Sequence, residues 1–180
     1  MRKKGLSMLF VLFVSVLVGC ATGAGPRGQG ASADSGGVGR AMPPITVRAL
    51  EGGKAIDLAG LRGKVVLVDL WASWCAPCKE EMPMLDDIAA RLKKKGVEVI
   101  AVSVDEKRAS ALGFLHSRPR WSLTLAHDPE GKIPELLQPA KMPTSYIVDA
   151  HGILRYVNSG FERADAAVIE QRLVALAGER

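Results

Sequence analysis

The stretch Val65–Lys79, VVLVDLWASWCAPCK, decides the fold of this chain. It begins as a continuous apolar run rich in valine, which is typical of a strand buried on both faces of a sheet. It ends in two cysteines spaced C-x-x-C, Cys75 and Cys78, directly ahead of a segment with helical periodicity. A buried strand followed by a helix predicts an α/β protein, with its chemistry at the junction of the two elements.

The segment after the cysteines is predicted to be a helix that ends near Lys95. Free N–H groups and the positive end of the helix dipole lie at its N-terminus, where they stabilise an anion. Since the thiolate is the form that attacks disulfides, Cys75 is predicted to be the nucleophile. Cys78 lies one turn later on the same face, within reach of a disulfide, and is predicted to be the resolving thiol.

Asp69 lies in the middle of the apolar run. A buried acid is costly unless it has a partner or a role. We expect burial to raise the pKa of Asp69, so that its carboxyl can pass protons to and from Cys78. The alternative is a solvated aspartate at the edge of the sheet.

The remaining elements are predicted from their apolar patterns and turn residues. Further strands are expected at 45–50, 54–58, 97–104, 122–126, 144–148 and 154–158, and further helices at 106–117, 132–137 and 162–177. This order predicts a mixed central sheet with helices on both faces, in a folded domain that spans 44–180.

The N-terminus carries a basic start and the apolar segment Leu6–Val18. This segment is shorter than the ~20 residues of a membrane span and suits a secretory signal peptide. Leu17–Cys20 resembles the lipobox of bacterial lipoproteins, which implies a signal peptide over 1–19 and a lipid on Cys20. The alternatives are an ordinary signal peptide and an uncleaved anchor. Each of them predicts an extracytoplasmic domain. Residue 21 is Ala rather than Asp, which by the sorting pattern of bacterial lipoproteins favours the outer membrane and hence the periplasm of a Gram-negative cell.

Residues 20–43 are rich in Gly, Ala and Ser and are predicted to be a flexible linker between the lipid and the domain. The net charge of +5 falls to +2 without the three cations of the leader, so no nucleic-acid partner is expected. Zinc is not expected, because the chain has one C-x-x-C motif and three scattered histidines. A static structural disulfide is disfavoured, because so short a loop restrains little chain.

Val68–Lys79 resembles the active-site strand and motif of thioredoxin. Three further stretches, Leu58–Lys64, Glu81–Pro83 and Pro143–Gly152, are similar to the TlpA/ResA branch of membrane-tethered thioredoxins. The resemblance covers about 44–178. It implies a thioredoxin fold with a short N-terminal β extension and a central insertion.

The resemblance also implies a substrate groove beside the cysteines, with a cis peptide bond before Pro143. The groove residues that it assigns are Trp74, Ala76, Pro77, Met142, Pro143 and Thr144. Trp71 would help to shape this surface or would pack in the core instead. Glu81 matches an acidic position of the branch and would modulate the site, or would be a solvated helix residue.

Two positions depart from these relatives. Many members of the branch carry Asn where this chain has Asp69, and thioredoxin itself has Asp there. Thioredoxin has a Lys on the adjacent strand, for which Ala101 stands in this chain. Without that cation a protonated Asp69 is favoured.

The expected function is extracytoplasmic reduction of protein disulfides through a mixed disulfide, with no cofactor besides the cysteine pair. The resemblance implies apocytochrome c or copper-site cysteines as substrates and a membrane electron donor as partner. A disulfide oxidase or isomerase of the same fold stays open, although Ala76-Pro77 lacks the His of strongly oxidising relatives. A peroxiredoxin is disfavoured, because it would require Pro-x-x-x-Thr-x-x-Cys and Cys75 follows Ser73-Trp74 instead. A copper-site chaperone is disfavoured too, because it would require a wider cysteine spacing and a His in a later loop, where this chain has none.

Overall fold

The structure is a computed structural model that describes residues 37–118 and 120–179. Within them the chain forms a seven-stranded sheet and four α-helices. The strands are β1 (Thr46–Ala49), β2 (Ala55–Asp57), β3 (Val65–Trp71), β4 (Val97–Ser103), β5 (Thr124–His127), β6 (Thr144–Val148) and β7 (Leu154–Ser159). The helices are α1 (Ala76–Leu92), α2 (Arg108–Leu115), α3 (Lys132–Leu137) and α4 (Asp165–Gly178). The predicted signal peptide, Cys20 and the linker up to residue 36 lie outside the described residues.

The strand order across the sheet is β2-β1-β5-β4-β3-β6-β7. The strands β3, β4 and β5 are parallel, and β6 and β7 extend the sheet antiparallel on one side. On the other side β1 and β2 form an antiparallel hairpin that pairs with β5. The predicted mixed sheet with an N-terminal β extension is therefore confirmed, and β3 lies at its interior between β4 and β6.

Side chains of β3 alternate between two apolar cores, one on each face of the sheet. Val65, Leu67 and Trp71 pack on the face that α1, α2 and α4 cover. Val66, Val68 and Leu70 pack on the opposite face, together with residues of α3. The continuous apolar run of the sequence is thus explained by burial on both faces. The same alternation directs Asp69 towards α1.

The hairpin of β1 and β2 turns through Gly52 and Gly53, which have φ angles of 73° and 65°. Only glycine adopts these left-handed angles without steric cost, so the two glycines suit the turn between β1 and β2.

The chain packs against the sheet before the predicted domain start at 44. The Gly39 N–H donates to the Leu154 carbonyl at 2.8 Å, Ala41 forms an isolated bridge with Ile153, and Met42 is buried. These contacts tie the end of the predicted linker to β7. Within the described residues, no helix combines the length and the apolar content needed to span a membrane.

Candidate functional site

Cys75 and Cys78 are joined by a disulfide at the start of α1, with their Cα atoms 5.3 Å apart. Cys75 is the N-cap residue of this helix, and its Sγ accepts a hydrogen bond from the Cys78 N–H at 3.3 Å. Pro77 occupies the first turn, where its missing N–H leaves no hydrogen bond unmade. The predicted placement of the cysteine pair at a helix N-terminus is therefore observed.

The two cysteine residues differ in exposure to solvent. Cys75 is 6% exposed, whereas Cys78 is completely buried. A partner disulfide that approaches from solvent can reach Cys75 more readily than Cys78. The order predicted from the sequence, with Cys75 attacking and Cys78 resolving, agrees with this difference.

The surface around Cys75 is formed partly by its neighbours in the motif. The Trp74 side chain is 68% exposed, and Ala76 and Pro77 are also exposed. Trp71, by contrast, is fully buried and packs against Phe114 with ring centroids 5.4 Å apart. Of the two tryptophans, Trp74 is available to a docking protein and Trp71 belongs to the core.

The loop before β6 lies beside the end of β3. The peptide bond between Met142 and Pro143 is cis, as the resemblance implies. Because Thr144 pairs with Leu70, Pro143 lies next to the point where β3 leads into the cysteine motif. Met142 is half-buried against the core that contains both cysteines. Thr144 is completely buried, and its hydroxyl donates to the Lys141 carbonyl at 2.5 Å.

Two buried carboxyl groups lie where α1 packs against β3 and β6. Asp69 on β3 and Glu81 on α1 are 0% and 1% exposed, so neither is the solvated residue that the alternative required. The Ser145 hydroxyl on β6 donates to Asp69 Oδ1 at 2.9 Å and lies 3.3 Å from Glu81 Oε1. Asp69 and Ser145 are direct partners across the two strands, which explains the short contact.

Burial shifts the ionisation of both acids. Removal from water raises the pKa of Asp69 above its ordinary value, and the hydrogen bond from Ser145 opposes that shift. Burial also raises the pKa of Glu81, and the negative charge of Asp69 raises it further. Ala101 is the partner of Asp69 on β4, so that position supplies no cation to either group. The geometry thus supports the prediction of a protonated Asp69.

The loop ahead of Cys75 is fastened by Asp105, which sequence reasoning did not single out. Its carboxylate accepts hydrogen bonds from the Ser73 N–H at 2.9 Å, the Ser73 hydroxyl at 2.7 Å and the Ser103 hydroxyl at 2.9 Å. His127 Nε2 donates to the Asp105 carbonyl at 2.7 Å. These contacts join the ends of β3, β4 and β5 and hold the strand-to-helix connection in place.

Ser145 was missed as well, although it lies inside the stretch that carries the resemblance. The only signal for it was the alternation of β6, which places it on the same face as Asp69 once the register is known. Across residues 37–118 and 120–179, no three or more His, Cys, Asp or Glu side chains form a group that could hold a metal ion.

Comparison with known proteins assigns the chain to a family. A family model described as the AhpC/TSA family matches residues 38–157. The chain belongs to the AhpC/TSA family. The thiol-disulfide oxidoreductase ResA of Bacillus cereus is 31% identical over 150 residues, which cover 83% of this chain and 86% of that protein. The ResA of Oceanobacillus iheyensis is 36% identical over 107 residues, and the match spans 58% of this chain and 54% of that relative.

Solved structures give the same result for the fold. The thiol:disulfide interchange protein DsbE of Chlorobium tepidum is 35% identical and superposes with a TM-score of 0.73 over 78% of this chain and 98% of its own. The exposed lipoprotein thioredoxin Etrx1 of Streptococcus pneumoniae is 28% identical, with a TM-score of 0.63 over 74% and 99%. The chain is a thiol–disulfide oxidoreductase of the ResA and DsbE type with a thioredoxin-like fold.

Proposed function

We propose that this oxidoreductase works outside the cytoplasm as a reductant of protein disulfides. The observation that carries the proposal is the Cys75–Cys78 disulfide at the start of α1, in which Cys75 is slightly exposed and Cys78 is completely buried. A pair arranged in this way can attack a partner with one thiol and release it with the other.

The reaction begins from the reduced pair. The Cys75 thiolate attacks one sulfur of a substrate disulfide, the substrate S–S bond breaks, and the other substrate sulfur leaves as a thiolate and takes a proton. Cys78 then loses its proton, and its thiolate attacks the Cys75 sulfur of the mixed disulfide. The second substrate sulfur leaves, and two electrons have passed from the enzyme to the substrate. A dithiol donor at the membrane restores the reduced pair by the reverse exchange, and no bound cofactor is required.

Asp69 is proposed to accept the Cys78 proton and to return it. A carboxyl with a raised pKa can hold and release a proton near neutral pH, which an ordinary aspartate cannot do. Its position on the α1 face of β3 supports this role, because the buried Cys78 lies on that helix and is shielded from bulk water.

The proposed substrate contact is the exposed surface around Cys75. Trp74 offers a large apolar ring beside Cys75, and Ala76 and Pro77 leave the approach free of charge. Met142 and Pro143 are proposed to flank the substrate cysteine from the other side. Apocytochrome c and copper-site proteins are proposed as substrates on the family resemblance, with their cysteine motifs as the recognised group.

Insulin reduction by the purified full chain tests the proposed reaction. With dithiothreitol as the electron source, the chain should accelerate precipitation of the insulin B chain, and Cys75→Ser should abolish the acceleration. Cys78→Ser should accumulate a covalent mixed disulfide that dithiothreitol dissolves. Cys20→Ala removes the third cysteine and should leave the rate unchanged. Full activity of Cys75→Ser would refute the mechanism.

The direction of electron flow is decided by the reduction potential of the cysteine pair. Equilibration with glutathione or dithiothreitol buffers should give a value close to that of thioredoxin, which is about −270 mV. A value close to that of DsbA, which is about −120 mV, would make the protein an oxidant instead.

Attachment to a membrane through a lipid on Cys20 is proposed from the lipobox. The Streptococcus pneumoniae thioredoxin that resembles this chain in fold is a lipoprotein, which supports the proposal. Cys20→Ala should move the protein from the membrane fraction to the soluble fraction of cells. If the variant stays with the membranes, an uncleaved anchor is the better explanation.

A further inference from the structure

The side chains of Asp69, Glu81 and Ser145 form a buried cluster that we call the carboxyl–serine bridge. They come from β3, α1 and β6, and all three are at most 1% exposed. The Ser145 Oγ lies 2.9 Å from Asp69 Oδ1 and 3.3 Å from Glu81 Oε1, which are both hydrogen-bonding distances. One hydroxyl therefore lies between two carboxyl groups.

The number of protons in the bridge follows from the number of donors. A serine hydroxyl carries one proton and can donate to one carboxylate at a time. If both acids were ionised, the second contact would set a carboxylate oxygen against a lone pair of Ser145. If both were protonated, the cluster would hold three O–H groups, and one of them would lack an acceptor, because Asp69 Oδ2 and Glu81 Oε2 have no hydrogen-bond partner. If both acids donated to the two lone pairs of Ser145 Oγ, the group left over would be the Ser145 O–H itself.

A single added proton satisfies both contacts. The protonated carboxyl donates to Ser145 Oγ, and the Ser145 O–H donates to the ionised carboxyl. We propose that Asp69 and Glu81 share one proton across Ser145, which acts as a positioning residue that decides which of the two carboxyls is charged. When the two carboxyls exchange roles, the O–H bond of the protonated acid breaks as its proton passes to Ser145. A new O–H bond forms on the other carboxyl with the proton that Ser145 releases.

The charged and titratable groups that face the bridge favour this state. On α1, Cys75 and Cys78 are neutral in the disulfide. On α4, Asp165 adds negative charge that opposes ionisation of Glu81. On β4, the neighbour of Asp69 is Ala101, which carries no charge. Among the described residues, no ion pair involves either carboxyl of the bridge, so a second negative charge would be buried without compensation.

The shared proton is argued from the contacts of the three side chains. Only its consequence for the reaction rests on the proposed function, which it deepens. Glu81 lies one turn after Cys78 on α1, and Asp69 lies on the strand beneath that helix. Moving the proton between them moves a negative charge between the strand and the helix that carries Cys78. Before it takes up a proton, the bridge would thus present its one ionised carboxyl at either of two positions, on the strand or on the helix.

The test is a titration of the oxidised full chain, with ¹³C labels in the Asp and Glu carboxyl carbons and NMR detection. Assignment comes from Asp69→Asn and Glu81→Gln. The wild-type Asp69 and Glu81 resonances should both respond to each of two widely separated ionisation steps, because each nucleus senses a shared proton. Two independent single-step curves near the ordinary carboxyl range would overturn the proposal.

Ser145→Ala and Ser145→Thr form the matched pair. The alanine variant loses the bridging donor, so the first ionisation of the pair should move to higher pH by about one unit, a roughly tenfold change in the constant. Threonine keeps the hydroxyl and should retain the wild-type midpoint within a few tenths of a unit. An alanine variant that titrates like the wild type would refute the bridge, and the threonine result decides the question if alanine prevents folding.

This measurement separates the bridge from the reaction. It uses the oxidised protein and no substrate, so the shared proton can be established even if insulin reduction fails. Conversely, normal insulin reduction together with independent titration curves would leave the proposed function intact and remove the bridge.

Discussion

Asp69 and Asp105 are both buried aspartates, but their surroundings differ sharply. Asp105, just beyond the end of β4, is 2% exposed and accepts three hydrogen bonds from Ser73 and Ser103. Asp69, in the middle of β3, is fully buried and has one hydroxyl that also faces Glu81. A carboxylate whose oxygens are all occupied stabilises a structure, whereas one left short of donors is suited to exchange protons.

The largest expected effect is that of removing the well-satisfied carboxylate. Asp105→Ala leaves the Ser73 N–H and two hydroxyls without their acceptor, so unfolding free energy should fall by about 3 kcal/mol. Urea unfolding of the oxidised protein measures it. Asp57→Ala is the control, because exposed Asp57 accepts one hydrogen bond, from the Ala59 N–H at 3.1 Å. If the free energy of unfolding falls by the same small amount in both variants, Asp105 does not hold the loop in the way that its contacts indicate.

The second expected effect has the opposite sign. Because the pKa of Asp69 is raised in the folded state, the folded protein binds a proton that the unfolded chain releases above about pH 4. Wild-type stability should therefore fall as pH rises from about 4 through the raised pKa. Asn cannot ionise, so Asp69→Asn should gain about 2 kcal/mol relative to the wild type between pH 5 and pH 9.

Urea unfolding at the two pH values measures this difference, again in the oxidised protein. Asp57→Asn at an exposed site should show no comparable pH dependence. A stability difference between Asp69→Asn and the wild type that stays constant from pH 5 to pH 9 would contradict the raised pKa and make Asp69 resemble Asp105.

The smallest expected effect is on the rate. Asp69→Asn should slow insulin reduction about tenfold, or about 1.4 kcal/mol in activation free energy, because Cys78 loses its proposed proton acceptor. The rate should also lose part of its pH dependence, which a purely structural role would not change. Equal rates for variant and wild type at every pH from 6 to 9 would remove Asp69 from the proton transfer.

Much of the fold was predictable because local patterns agree with the tertiary structure. The apolar run at 65–70 became β3, and the helix after the motif became α1 with its expected apolar stripe. The predicted helix at 132–137 and strand at 144–148 match α3 and β6 in their bounds. In these segments burial and periodicity specify the same element.

The candidate site was predictable only where a motif is contiguous in sequence. The cysteine pair and the buried Asp69 stand within ten positions of one another, so one stretch revealed them. Asp105 and Ser145 act across sequence separations of 32 and 76 residues. Their partners are fixed by strand register, which a single sequence does not specify, so neither residue could be distinguished from an ordinary polar residue near a strand end.

The N-cap contact of Cys75 links folding to redox chemistry in a closed thermodynamic cycle. In the oxidised protein the Cys75 sulfur accepts the Cys78 N–H as a neutral atom. On reduction the same sulfur can carry a negative charge, and a charged acceptor caps a helix more strongly. The free energy by which that charge stabilises the first turn of α1 is added to the stability of the reduced protein against unfolding. In a closed cycle the same free energy makes the folded disulfide a stronger oxidant. Sequence changes confined to this one turn therefore tune heat tolerance and electron affinity together.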